Sequence, residues 1–152
     1  MNSGTSTQPT QSDLSYLSTF SVAKNPTRAG YTFDGWSDGT NVRAAGYTTT
    51  MGSANATVIA QWKIAVPLTP TISSVTGSDS GATITVAPNS NGGAPSSYVV
   101  TASPGGATCT VYAPNTSCSI SPLTNGTAYT FSVTASNSTG TSAAATSASV
   151  TP

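Results

Sequence analysis

Histidine and glutamate are absent from this chain of 152 residues, and charged side chains of every kind are scarce. There are only four Lys or Arg residues and four acidic residues, all of them Asp. Without His or Glu, the sequence lacks the most common general bases and the nitrogen ligand usual in zinc sites. The composition therefore predicts a protein that is not an enzyme and needs no cofactor or metal.

The few charges balance, so the formal net charge at pH 7 is zero. Nucleic acids and anionic lipids are bound by clustered Lys and Arg, and the sequence predicts neither as a partner. No apolar run approaches the roughly 20 residues that a membrane helix needs, and residues 1–20 do not have the pattern of a signal peptide. We therefore expect no membrane insertion, and we expect the chain to be a fragment whose export signal or anchor lies elsewhere.

Cysteine is also rare, and its two copies, Cys109 and Cys118, lie nine positions apart. The turn-forming residues Ala113 to Ser117 lie between them, so the spacing predicts a disulfide across a hairpin. A metal site would need more ligands than this pair supplies. A disulfide implies an oxidising compartment, which predicts a secreted or cell-surface protein.

Two different strand patterns are present, and they meet at the segment from Trp62 to Pro70. Residues 56–64 alternate between apolar and polar as a strand does, whereas Pro67 and Pro70 each remove a backbone donor and prevent a continuous sheet. The sequence therefore predicts a first module over residues 1–64, a stiff Pro-rich linker over 65–70 and a second module over 71–152.

The first module contains a distinctive run of Gly and aromatic residues. Pro26 and the basic Arg28 precede Gly-Tyr-x-Phe-x-Gly-Trp at residues 30–36, and a closing strand at 56–62 ends in Ala-Gln-Trp. This pattern resembles the Listeria-Bacteroides repeat of bacterial surface proteins over about residues 19–63. The resemblance implies a small, mostly β, β-grasp-like module.

Four aromatic rings of this module have two interpretations. Alternation along the strands accounts for each ring as core packing, which we favour. The alternative is a carbohydrate platform, which requires at least two coplanar and exposed rings. The candidate ligand platform consists of Tyr31, Trp36, Tyr47 and Trp62. Asp34 and Asp38 lie beside Gly in a turn and are interpreted as turn formers rather than as a metal site.

The N-terminal residues suggest that a strand is missing. Ser12 to Leu17 is consistent with one helical turn, and Asn2 to Thr5 with a turn whose preceding strand is cut away. The loss would leave an open sheet edge near residues 20–23 or 58–61, and an open edge attracts a strand from another chain. We therefore expect the first module either to be loosely ordered alone or to pair this edge with another chain by strand exchange, unless residues 5–20 cover the edge.

Short strands at regular spacing fill the second module, which is typical of a β-sandwich. The seven predicted strands span residues 71–76, 82–87, 97–102, 108–112, 117–121, 128–137 and 143–150. The run from Leu123 to Ala135 and the Pro-x-x-Pro-x-Ile opening at residues 67–72 resemble a fibronectin type III domain. The resemblance covers residues 67–152 and implies a seven-stranded immunoglobulin-like sandwich.

The same resemblance assigns Tyr129 as a corner tyrosine, with its hydroxyl bonded to the backbone near Leu123. The second strand lacks the Trp that this family usually has there. The predicted core set consists of Ile84, Val86, Val99, Ile120, Tyr129, Phe131 and Val133.

Together, the two resemblances predict a non-enzymatic structural or adhesive module of a bacterial extracellular surface protein, acting as a spacer or display stalk. Its expected partners are neighbouring domains of the same protein. The alternative is an accessory module that binds a glycan or a protein. Lys24 or Lys63 could form an isopeptide bond, but that chemistry needs a buried acid beside the reacting pair, and both lysines are at positions that suggest exposure.

Overall fold

A computed structural model describes residues 19–22, 26–50 and 57–152, without the side chains of Phe20 and Thr49. The chain divides into two compact units, Met1–Ile64 and Ala65–Pro152. All regular structure in the described part is β, in four antiparallel sheets, which confirms the mainly β fold class. Among these residues no helix has the length and hydrophobicity needed to span a bilayer. The predicted N-terminal turn at residues 2–5 and helical turn at 12–17 lie outside the described residues.

In the first unit, the described residues form two small sheets. The strands are β1 (Thr19–Ser21), β2 (Tyr31–Ser37), β3 (Val42–Arg43), β4 (Thr48–Thr50) and β5 (Ile59–Ile64). One sheet pairs β1 with β4, and the other has the order β3-β2-β5. The predicted strand at the aromatic motif is therefore the central strand of the larger sheet.

A β-bulge at Asp34 changes which side chains of β2 share a face. Phe33 pairs with Trp62 and Gly35 pairs with the adjacent Gln61, so Asp34 is an extra residue in β2 with no pairing partner on β5. In a regular strand, residues three apart lie on opposite faces, and the extra residue of a bulge brings them to the same face. Phe33 and Trp36 are thus in contact, which regular alternation along β2 does not predict.

Seven strands form the second unit. They are β6 (Thr71–Ser78), β7 (Gly81–Ala87), β8 (Ser97–Ser103), β9 (Thr108–Tyr112), β10 (Ser117–Ile120), β11 (Thr130–Ser136) and β12 (Ala145–Thr146). A three-stranded sheet has the order β10-β7-β6, and a four-stranded sheet has the order β12-β11-β8-β9. Each predicted strand of this module corresponds to an observed one.

The core of the second unit combines inward residues of both sheets. Ile84, Val100, Phe131 and Val133 are each 0% exposed. The predicted core set is correct except for Val99, which is 37% exposed. Three apolar residues occur in succession at 98–100, so alternation alone allows either register; the structure turns Tyr98 and Val100 inward.

The last strand is much shorter than the predicted 143–150, because two serine hydroxyls replace backbone acceptors in the ladder. Ser142 Oγ accepts a hydrogen bond from the Ala135 amide at 3.0 Å. Ser147 Oγ accepts one from the Phe131 amide, also at 3.0 Å. The ladder is therefore interrupted on both sides of β12, and single bridges join Thr141 to Ser136 and Val150 to Tyr129. The backbone of β11 remains satisfied on this side.

Candidate functional site

The segment predicted as a linker is part of the second unit in the structure. We call residues 65–70 the lead-in segment. Pro67 and Pro70 are buried, and the Gly93 amide donates a hydrogen bond to the Val66 carbonyl at 3.2 Å. Two prolines can be buried here at low cost because they have no amide donor that must find a partner.

Asn137, at the end of β11, holds the start of this segment. Its Nδ2 donates to the Ala65 carbonyl at 2.7 Å and, with longer geometry, to the Ala94 carbonyl at 3.4 Å. Its Oδ1 accepts from the amides of Thr139 at 2.9 Å and Gly140 at 3.2 Å. One side chain therefore fixes its own loop and connects it to the lead-in segment and to the loop before β8.

Two glycines in the loop before β8 make the close approach possible. A Cβ on Gly93 would overlap the Ala65 carbonyl oxygen, and one on Gly92 would overlap the Leu68 amide nitrogen. Both obstacles are backbone atoms, which cannot rotate away as a side chain can. The sequence reasoning missed Asn137 and this glycine pair, although adjacent glycines in a loop are a recognised signal of close backbone approach.

The disulfide between Cys109 and Cys118 is present, with the two Cα atoms 6.2 Å apart. Its position differs from the predicted bridge across a hairpin, because β9 and β10 belong to different sheets. The turn between them crosses from one sheet to the other. The bridge therefore joins the two layers of the sandwich at one edge of each sheet, and both cysteines pack against the core.

Tyr129 forms the predicted corner. Its ring is buried, and its hydroxyl oxygen accepts a hydrogen bond from the Thr124 amide at 3.1 Å. The main chain just before Thr124 is also held, because the Leu123 amide donates to the Ser80 carbonyl at 2.8 Å. The loop before β11 is thus attached to the rest of the sandwich by both a side chain and the main chain.

In the first unit, the candidate platform residues do not form one exposed surface. Trp36 is 1% exposed. The Phe33 ring lies 5.5 Å from both Trp36 and the half-buried Trp62, at interplanar angles of 62° and 73°. Such edge-to-face contacts are typical of a packed aromatic core. Trp36 therefore cannot stack on a ligand in this structure.

Both remaining candidate rings have an Arg beside them. Tyr31 is 38% exposed, and the Arg28 guanidinium carbon lies 4.0 Å from its ring centroid. The half-buried Tyr47 has the Arg43 guanidinium carbon 5.8 Å from its centroid. These are cation–π distances, so each ring already has a charged neighbour.

The two described carboxylates of the first unit, Asp34 and Asp38, have structural partners. Asp34 forms an ion pair with Lys63 at 2.6 Å. Asp38 Oδ1 accepts from the amides of Asn41 at 2.7 Å and Thr40 at 2.8 Å, and these bonds lower the pKa of Asp38. This is the geometry of a turn-forming Asp. Within the described ranges, no three His, Cys, Asp or Glu side chains are grouped as a metal site would require.

The Lys63 and Asp34 pair also bears on the isopeptide alternative. Their side chains are 69% and 36% exposed, respectively. An isopeptide reaction needs a buried acid beside the reacting pair, whereas this ion pair is exposed. Lys24, the other candidate donor, lies outside the described residues.

The second unit therefore has two packed antiparallel sheets, a corner tyrosine and seven strands, which define an immunoglobulin-like β-sandwich. Residues 66–151 match the sequence model of the fibronectin type III domain, and the chain belongs to that family. Residues 1–61 match the Listeria-Bacteroides repeat domain. Both resemblances, and their order, are confirmed.

Two solved structures are similar to parts of this chain. One, described as FN3tt mut, is 22% identical with a TM-score of 0.44, over 57% of this chain and 96% of that chain. Another, domains A168–A170 of titin, is 17% identical with a TM-score of 0.49, over 90% of this chain and 59% of that chain. Comparison with curated proteins gives no match.

Proposed function

We propose that this chain is a spacer that presents neighbouring domains of a bacterial surface or secreted protein. A repeat type found in surface proteins followed by a fibronectin type III domain supports a structural module. Fibronectin type III domains are typically non-catalytic. The disulfide supports an extracellular or cell-surface location, since structural disulfides persist mainly in oxidising compartments.

One observation carries the spacing role. Strand β5 of the first unit ends at Ile64, and the next residue, Ala65, already accepts a hydrogen bond from Asn137 of the second unit. No stretch of Gly or Ser separates the two units, and such stretches are what make flexible tethers. A spacer benefits from this arrangement, because loose residues at a connection shorten its average reach.

A display experiment tests the proposal. A reporter peptide is fused before residue 1 in a cell-surface fusion, with residues 1–152 between the reporter and the anchor. In the matched control, a Gly/Ser-rich segment of equal length replaces the chain. We expect greater accessibility of the reporter to an antibody with residues 1–152, at equal amounts of surface protein. Equal accessibility in the two fusions would contradict a spacing role.

A further inference from the structure

The outer face of the four-stranded sheet consists almost entirely of hydroxyl side chains. Strands β8, β9 and β11 bury alternate residues, so their remaining residues point outward. Every outward residue on these three strands is Ser or Thr, except Val99 and Tyr112. We call this surface the hydroxyl face. The register places its side chains in cross-strand rows, one of which contains Thr146, Ser132, Thr101 and Thr108.

Tyr112 is the most exposed large hydrophobic residue described, at 68%, and it lies on this face. It pairs with Ser97, so it is diagonal to Val99, which is 37% exposed. Diagonal neighbours on a sheet are within reach of an aromatic side chain. The face thus has one small apolar patch, at the β9 edge, beside rows of hydroxyl groups.

The backbone that carries Tyr112 is held on several sides. Strand β9 pairs with β8 and is joined to the other sheet by the Cys109–Cys118 disulfide. Immediately after Tyr112, the Ala113 amide donates to the Ser96 carbonyl at 3.0 Å, and the Asn115 amide donates to the Tyr112 carbonyl at 3.0 Å. A ring on such a rigid element loses little conformational entropy when a ligand binds.

The charge distribution restricts the class of ligand. Residues 65–152 contain one charged side chain, Asp79, which lies in the turn between β6 and β7 of the other sheet. A face without cations offers nothing to phosphate or sulfate groups. Hydroxyl groups, in contrast, both donate and accept hydrogen bonds and therefore complement a ligand that also carries many hydroxyls.

We propose that the hydroxyl face binds a neutral polysaccharide mainly through its rows of hydroxyl groups, with Tyr112 as a single stacking ring, in contrast to the two-ring platform considered for the first unit. The hydroxyl groups within one row, about 4.8 Å apart from strand to strand, would hydrogen-bond the sugar hydroxyls on either side of the stacked unit. A protein partner fits less well, because a stable interface needs on the order of 1,000 Å² with an apolar centre, and only Val99 and Tyr112 supply apolar surface here. The binding role is independent of the proposed spacing role.

Retention of the whole chain on insoluble cellulose, chitin, starch and mannan tests this site. We expect wild-type protein to be retained on at least one of these polymers. Tyr112→Ser should weaken binding about fivefold to tenfold, whereas Tyr112→Phe, which keeps the ring, should bind as the wild type does. Tyr31→Ser removes an exposed ring from the first unit and is the matched control, expected to have no effect.

Two further measurements check that any loss of binding comes from the missing ring and that binding does not depend on charge. The thermal midpoint of Tyr112→Ser should equal that of the wild type, since the ring is mostly exposed; Tyr112→Gln is tested in parallel in case one variant fails to fold. Retention should not change between low and high NaCl. Absence of retention on all four polymers, equal retention of the ring-less variants, loss of binding in Tyr31→Ser, or strong salt dependence would each overturn the proposal.

Discussion

Replacing Asn137 with Ala tests whether this side chain holds the lead-in segment in place. The change removes the 2.7 Å bond to the Ala65 carbonyl and the two bonds from the Thr139 and Gly140 amides. Each such bond contributes about 0.5–1.5 kcal/mol net, and the 3.4 Å contact with Ala94 adds little because of its length. Water can replace part of what is lost at this half-buried site, so we expect the second unit to lose about 1.5–3 kcal/mol.

Asn137→Asp separates the lead-in contact from the loop contacts. The new carboxylate can still accept from the Thr139 and Gly140 amides, but it places an acceptor against the Ala65 carbonyl, where the amide had placed a donor. We expect destabilisation at pH 7 and partial recovery at pH 3, where a protonated carboxyl can donate to that carbonyl. Wild-type protein measured at both pH values corrects for other titrations.

The measurement is urea denaturation of the full chain, followed through NMR amide signals of residues 65–152. Exchange of the Gly93 amide reports on the lead-in segment directly, because this amide donates to the Val66 carbonyl. Asn115→Ala, at an exposed position after β9, is the control. Unchanged stability together with unchanged exchange of the Gly93 amide in Asn137→Ala would refute the assignment.

The remaining predictions concern other contacts. Replacing Cys109 and Cys118 with Ser should cost the second unit about 2.5–3 kcal/mol in the chain-entropy model, and thiol titration of the unfolded, unreduced wild type should detect no free thiol. Tyr129→Phe should lower stability by about 1–2 kcal/mol without altering the fold, which an unchanged denaturation midpoint of the second unit would contradict. Gly35→Ala should unfold the first unit, because Gly35 has a φ of +143° and a Cβ there would lie 2.7 Å from the Arg43 carbonyl oxygen. Tryptophan fluorescence should report this as increased solvent exposure of the two rings. Hydrogen bonds from Asn125 and Ser80 lower the pKa of Asp79, so its contribution to stability is present above the ordinary Asp pKa and is lost as pH falls through the lowered value. The thermal midpoint of the second unit, measured by calorimetry, should therefore be constant from about pH 5 to 8. A slope in that range would show that another group titrates.

The second unit could be predicted well from sequence because its strands alternate and its turns have strong signals. The alternation of apolar and polar residues did not predict which side chains point inward at residues 98–100, because three adjacent apolar residues allow either register. It failed again at Asp34, because a bulge depends on the partner strand as well as on local sequence. The disulfide was predicted from spacing, but spacing is the same whether the two strands pair or lie in opposite sheets.

The lead-in segment could not be predicted from local patterns for a different reason. Two prolines close together are equally compatible with a linker between domains and with the edge of a folded domain. The deciding contacts come from Asn137 and Gly93, which are distant from Ala65 in sequence. Long-range contacts of this kind have no local signature, apart from the adjacent glycines that allow the approach.

The inter-sheet disulfide also limits how far the second unit can be stretched. Nine residue steps separate Cys109 from Cys118, which would extend to about 31 Å in a fully stretched chain. The bridge keeps their Cα atoms near the 6.2 Å of the folded state. A chain pulled from both ends until the sandwich unfolds would therefore gain about 25 Å less length with the bridge than without it. Reduction of the bridge would lengthen the unfolded chain without any change in sequence.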